Sequence, residues 1–190
     1  MKVTDREILE IPTGYRAAEA ALTLAELDEQ TASLMHDLEG ITPAELEWQM
    51  RPGMNTIGML LAHMAVVELF WIRTAVARKS VFDISDVLGI GMDDDGMPLP
   101  ADQPPPAGLA GRPLAYYRDL IERARAYAKQ AAAALTEEDL GTSFQRTRRN
   151  GKVDELNVRW VLYHMLEHFS GHYGQILLLR HLYRDARKTA

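Results

Sequence analysis

Trp160-Val161-Leu162-Tyr163-His164-Met165-Leu166-Glu167-His168-Phe169-Ser170-Gly171-His172-Tyr173-Gly174-Gln175 sets three histidines four residues apart. A helix advances about 100° per residue, so each step of four turns its face by only about 40°. The three imidazoles therefore share one face, with neighbouring Cβ atoms about 5–6 Å apart. Val161, Met165, Ile176 and Leu179 outline the apolar side of the same helix. That side predicts that His168 and His172 point inward. His164 lies further round, close to the helix start, and is expected outside the inner pair or partly exposed. The helix is expected from about Asn157 to about Arg184.

Three more long segments carry helical periodicity. The first runs from about Thr13 to Glu39, with Leu24, Leu27, Thr31, Leu34 and Leu38 on one face and Gly40 as the stop. The second starts at a cap on Asn55 or Thr56 and continues to about Lys79. The third spans about Pro113 to Leu135. Thr42-Pro43-Ala44-Glu45 has the form of a capping box with proline in the first turn. Thr136 to Asp139 reads as another cap and short turn. Residues 80–112, rich in Gly, Pro and Asp, read as an irregular crossover or functional flap. Asn150-Gly151, between short partly alternating stretches over Ser143 to Leu156, signals a tight hairpin. The pattern predicts an all-α protein: a four-helix bundle with a long crossover connection between helices 2 and 3, as a single domain over residues 1–190.

Bulk properties narrow the function. The 190 residues are 47% hydrophobic and 25% charged, with a net charge of −6. A mildly acidic chain is poorly suited to a phosphate backbone, so no nucleic acid is expected as main partner. There are no cysteines, hence no disulfides and no thiolate ligands from the chain itself. The N-terminal stretch has no signal-peptide pattern. The most apolar run, Ile57 to Ile72, is shorter than the roughly 20 residues of a membrane span and is interrupted by His63 and Glu68. A cytoplasmic protein with no membrane association is the expectation.

His63 sits in Met59-Leu60-Leu61-Ala62-His63-Met64-Ala65-Val66-Val67-Glu68, with nothing adjacent in sequence to satisfy a buried imidazole. Ligation of one divalent ion by His63, His168 and His172 would meet that need. A hydrogen-bonded polar core layer is the bland alternative. Gln175, one turn past His172, is placed to orient a ligand or another helix-borne group. Glu68 lies about 140° from His63 and is not expected to hold it.

Other polar runs weigh less. Asp93-Asp94-Asp95-Gly96 resembles part of a calcium loop with Asp102 near its closing position, but Gly91 would open it and prolines 98 and 100 spoil it. A solvated acidic turn is expected. Arg146, Arg148, Arg149 and Lys152 read as a solvated turn or a lure for an anionic substrate. Arg180, Arg184, Arg187 and Lys188 complement the negative end of the last helix dipole. The Glu-x-x-His pairs of di-iron bundles and the His-Glu-x-x-His of zincins are both absent.

Two segments carry a family resemblance. Thr56-Ile-Gly-Met-Leu-Leu-Ala-His63-Met-Ala-Val-Val-Glu68 and Arg159-Trp160 through Arg180, with its His-x-x-x-His-x-Gly-Gln, resemble the second-helix and last-helix motifs of the DinB/YfiT-like superfamily of metalloenzymes, named for DNA-damage induction. The resemblance implies a metal triad on His63, His168 and His172, zinc or nickel as the ion, and a homodimer. It further implies transfer of a low-molecular-weight thiol, such as bacillithiol or mycothiol, to a small-molecule substrate. The chain departs from the pattern in the length of residues 80–112 and in His164.

Three neutral imidazoles leave a dication with an open position, the arrangement of catalytic sites. Such a site can activate a thiol as nucleophile or acidify water for hydrolysis. A stress-induced binding protein that is no enzyme is the third alternative.

Overall fold

The structure, a computed structural model, describes residues 8–78, 83–148 and 150–188. The protein is mostly α-helical, with helices α1 (Ala18–Asp37), α2 (Pro43–Leu46), α3 (Ile57–Ala77), α4 (Ser85–Leu88), α5 (Leu114–Ala133), α6 (Glu137–Gly141) and α7 (Val158–Lys188). A two-stranded antiparallel hairpin, β1 (Ser143–Thr147) and β2 (Val153–Asn157), precedes α7.

Local chemistry sets the ends of these elements. α1 begins at Ala18 rather than near Thr13, because Gly14 takes a left-handed φ of +93° that no α-helix accommodates. Thr56 caps α3, its Oγ1 accepting from the Met59 N–H at 3.1 Å. Thr136 and Asp139 form a reciprocal capping box at α6. At α2 the box is only half made: the Thr42 Oγ1 accepts from the Glu45 N–H, but the Glu45 carboxylate turns away to Arg180, 3.1 Å from its Nε. Arg180 is accordingly buried and also donates to the Glu39 carbonyl. The expectation that it serves the last-helix dipole is therefore corrected, since α7 continues to Lys188.

α3 lies against both α5 and α7, and α1 against the same two helices. Leu60, Leu61, Leu69 and Ile72 of α3 meet Leu24, Leu27 and Leu34 of α1, Leu120, Ile121 and Ala128 of α5, and Val161, Met165 and Ile176 of α7 in one buried cluster. α3 has 21 residues, close to the helix predicted from Asn55 or Thr56 to about Lys79; the apolar run Ile57 to Ile72 is only part of it, and by length and composition the whole helix matches a membrane span. Its apolar window is 78% buried within the protein, which accounts for apolar residues all round the helix. A deeply buried ion pair joins this helix to α5: Glu68 accepts from Arg125 Nε at 2.7 Å and Nη2 at 3.0 Å, both residues being 5% exposed.

Residues 83–112 contain only α4 and a 3-10 turn at Ala107–Leu109, as their Gly and Pro content predicts. Buried Ile84, Leu88 and Leu109 pin them to the core. The Tyr117 hydroxyl donates to the Leu109 carbonyl at 3.0 Å, and Arg123 Nη1 to the Val87 carbonyl at 3.0 Å. In the hairpin, Phe144 pairs with Leu156 and Arg146 with Asp154, so these four share the face towards the helices. Gly151 turns the chain with φ +81°.

Candidate metal centre

Packing of α3 against α7 brings His63 to His168 and His172. The His63 and His168 Nε2 atoms are 3.1 Å apart, and those of His168 and His172 are 3.0 Å apart. One ring nitrogen from each lies within 4.8 Å of the others, and among the described residues this is the cluster of histidine, cysteine or acidic groups that can hold a metal. All three residues are half-buried.

The outer ring nitrogens fix what the inner ones can do. His63 Nδ1 meets Asp95 Oδ2 at 2.8 Å, and His172 Nδ1 meets Gln175 Oε1 at 2.8 Å. Carboxylate and amide oxygens accept, so the ring N–H of each histidine belongs on Nδ1. A neutral imidazole has one N–H, which leaves a bare lone pair on both Nε2 atoms. His168 Nε2 faces both of these with at most one hydrogen to offer. Two lone pairs sharing one proton in a partly buried site is poor hydrogen bonding, whereas a divalent ion accepts all three. The N–N separations also suit one ion, since about 3.4 Å separates ligands around a tetrahedral centre with Zn–N near 2.0–2.1 Å. The donor set therefore fits a divalent metal.

Electrostatics favour the same protonation state. Burial, and then the neighbouring His172, His63 and His164 rings, push the His168 pKa down to about 3. Burial also lowers that of His172, against the opposing effect of its hydrogen bond to the Gln175 Oε1. Both rings are held neutral, the form that ligates.

Asp95 is the residue that sequence reasoning missed. The acidic turn was expected to be solvated, yet Asp95 is only 2% exposed. Its Oδ2 takes the His63 N–H and its Oδ1 the Met97 N–H at 2.9 Å. Gly96 makes this possible: its φ is +72°, and a Cβ there would come within 2.5 Å of the Pro106 ring. Asp94 instead accepts from the Gly91 N–H within the turn, so this segment is no calcium loop.

The remaining candidates separate clearly. Gln175 does orient His172. Glu68 does not reach His63 and is occupied by Arg125. His164 stays outside the trio, stacked on Trp160 at 4.8 Å with ring planes 10° apart, edge-on to Trp71, and 3.1 Å from Glu167. Its ring centroid is 5.8 Å from that of His168. Arg148 pairs with Asp154 at 2.6 Å, and Lys152 is exposed. Arg146 is not a solvated turn residue: its guanidinium lies over the rings of Trp71 and Phe70, at 4.7 and 5.1 Å. Arg149 falls outside the described residues.

Comparison with known proteins adds one match. The sequence model of the family described as mycothiol-S-transferase matches residues 23–185. That span includes the three histidines, Asp95 and Gln175. No curated protein matches the chain.

Proposed function

Because the chain belongs to the mycothiol-S-transferase family, a DinB/YfiT-like family, we propose that it is a metal-dependent transferase that joins a low-molecular-weight thiol to an electrophilic small molecule. The observation that carries the reading is the convergence of three Nε2 atoms whose partner nitrogens, on His63 and His172, are already engaged by Asp95 and Gln175.

In this reading His63, His168 and His172 hold the ion, zinc or nickel. Asp95 and Gln175 keep two of the rings in the ligating tautomer and orientation. When bound, the ion supplies the positive charge that makes a coordinating thiol acidic near neutral pH. The chain has no cysteine of its own, so the sulfur comes from the cosubstrate. A sulfur–carbon bond forms. The thiol proton leaves with the displaced group or, in addition to a conjugated double bond, ends on the neighbouring carbon. The half-buried rings sit where α3 and α7 meet, which limits water around the reacting sulfur. The reading also takes α1, α3, α5 and α7 as a four-helix bundle forming one domain, with a long crossover connection between α3 and α5. It further takes a cytoplasmic homodimer, without nucleic-acid or membrane partners, as the working form.

The test incubates metal-loaded protein with an electrophilic aromatic acceptor, with and without mycothiol, bacillithiol or glutathione, beside His168→Ala. Conjugation that requires both a thiol and His168 is expected. Metal-dependent ester or amide hydrolysis without thiol would replace the reading by a hydrolase. No turnover of any kind would replace it by a metal- or ligand-binding protein.

A further inference from the structure

Beside the histidine cluster, between the β1–β2 hairpin and the first two turns of α7, lies a cavity of about 910 Å³. Trp71, Arg146, Arg148, Asp154, Trp160 and His164 are among its lining residues. That volume lies within the range of small-molecule sites, about 300–1,000 Å³. We propose that this cavity binds the acid group of a planar, carboxylate-bearing acceptor, with Arg146 as the anion-binding residue and the Trp71–Trp160 pair as the wall against which the planar body lies.

The charge balance around Arg146 carries the assignment. Arg146 stands on the inward face of β1, directly opposite Asp154. Among the described residues Asp154 is the acidic group that approaches it, but its Oδ2 is taken by Arg148 Nε at 2.6 Å and reaches Arg146 Nη1 only at 4.0 Å. Glu155, though it borders the cavity, pairs with Gln145 and is exposed on the opposite face of the hairpin. The Arg146 Nε is buried with no hydrogen-bond acceptor, while the side chain as a whole remains 22% exposed. The guanidinium is thus held over two aromatic rings and incompletely neutralised, and burial lowers its pKa. A fork of this kind suits a carboxylate, which can accept two N–H bonds at once.

The aromatic side of the cavity gives the ligand its shape. Trp71 and Trp160 meet edge to face at 5.4 Å. Trp160 is 38% exposed and so offers apolar surface to the cavity. His164 continues the row, stacked on Trp160 and within 5.8 Å of His168. His164, which lines the same cavity, is one helical turn from His168 and so connects the cavity to the histidine cluster. The inference rests on the thiol-transfer reading only in naming that ligand as the acceptor.

Isothermal titration of the protein, with no thiol present, tests the site with 2-naphthoate and its uncharged isostere 2-naphthamide. Wild type is expected to bind the acid more tightly than the amide. Arg146→Met, which keeps an apolar stem over the two rings, is expected to weaken the acid by roughly tenfold or more and the amide by much less. Unchanged amide binding then reports an intact pocket. Arg146→Lys, with the charge but no fork, is expected to fall between. His168→Ala is expected to retain acid binding. Failure of wild type to bind the acid, equal binding by Arg146→Met, or loss that follows His168 instead would each overturn the assignment, the last by placing the carboxylate on the metal. Calorimetry needs no turnover, so failure here and failure of the transferase assay are separate results.

Discussion

His63 and Asp95 meet through Nδ1 and Oδ2 at 2.8 Å, although 32 residues separate them in the chain. The contact ties the irregular segment after α3 to the centre of the helical core. It also decides which nitrogen of His63 is free to ligate, because an ionised carboxylate only accepts. A carboxylate behind an imidazole makes the ring a stronger donor to a metal and holds its orientation.

Asp95→Asn is therefore expected to weaken divalent-metal affinity by about 10- to 100-fold, the range typical of such supporting contacts. An amide can still accept from the Met97 N–H at Oδ1, so the turn has a route to survive. Competition with a chromogenic chelator gives the affinity directly. Wild-type affinity in Asp95→Asn would show that the contact is incidental to the site.

Metal content should follow the cluster and not the helix. His63→Ala, His168→Ala and His172→Ala are each expected to lose most of the bound divalent metal, about one ion per chain in wild type. His164→Ala should keep it, since that ring stacks on Trp160 outside the trio. Elemental analysis of the four purified variants checks this. Full retention in all three cluster variants would remove the metal site.

Legibility of the protein in its sequence followed the range of the interactions. The i, i+4 histidines, the apolar stripes, the Thr56 and Thr136 caps and the Asn150-Gly151 turn are local signals, and the structure has those elements. The meeting of His63 with His168 and His172 was also foreseen, because an imidazole in an apolar helix needs a partner and α7 offered two on one face. What stayed hidden were polar pairings between distant segments. Asp95 lies in a stretch without periodicity, where nothing separates a buried acid from its exposed neighbours. Glu68 and Arg125 are 57 residues apart, and Glu45 and Arg180 are 135 apart. Glu68 did carry a partial signal: an acid within an apolar helix requires a cation, and an arginine on the inward stripe of α5 supplies it.

Breaking the Glu68–Arg125 pair on one side should be costly. Arg125 also donates to Asp28 and Thr31 and lies over the Phe169 ring, next to His168 in sequence. Removing one partner leaves a buried charge uncompensated, and Arg125→Met is expected to destabilise the protein by about 3–5 kcal/mol. Replacing both, as Glu68→Leu with Arg125→Met, should recover much of that loss, because an apolar pair of similar size needs no desolvation of charge. Urea denaturation of the single and double variants measures both. If the double variant is as unstable as Arg125→Met, packing and the Asp28 contact outweigh the buried charge.

Chelator-treated protein should lose stability on acidification through His168. Burial first, and then the neighbouring histidines, lower its pKa in the folded protein to about 3, against an ordinary value of 6.5. Between those values the unfolded chain binds the proton and the folded chain does not, so stability rises with pH across that window. The contribution is fully present above about pH 6.5 and is lost progressively as pH falls towards 3. His172, also lowered by burial, acts in the same direction. Carboxylates titrate in the lower part of the window too, so the informative quantity is a difference between variants. His168→Phe keeps a ring of similar shape but has no proton to take up. The melting temperature of wild type is expected to fall more than that of His168→Phe between about pH 7.5 and about pH 5.5, where carboxylates contribute least. Parallel curves over that interval would mean that the folded protein takes up the His168 proton as readily as the unfolded chain does.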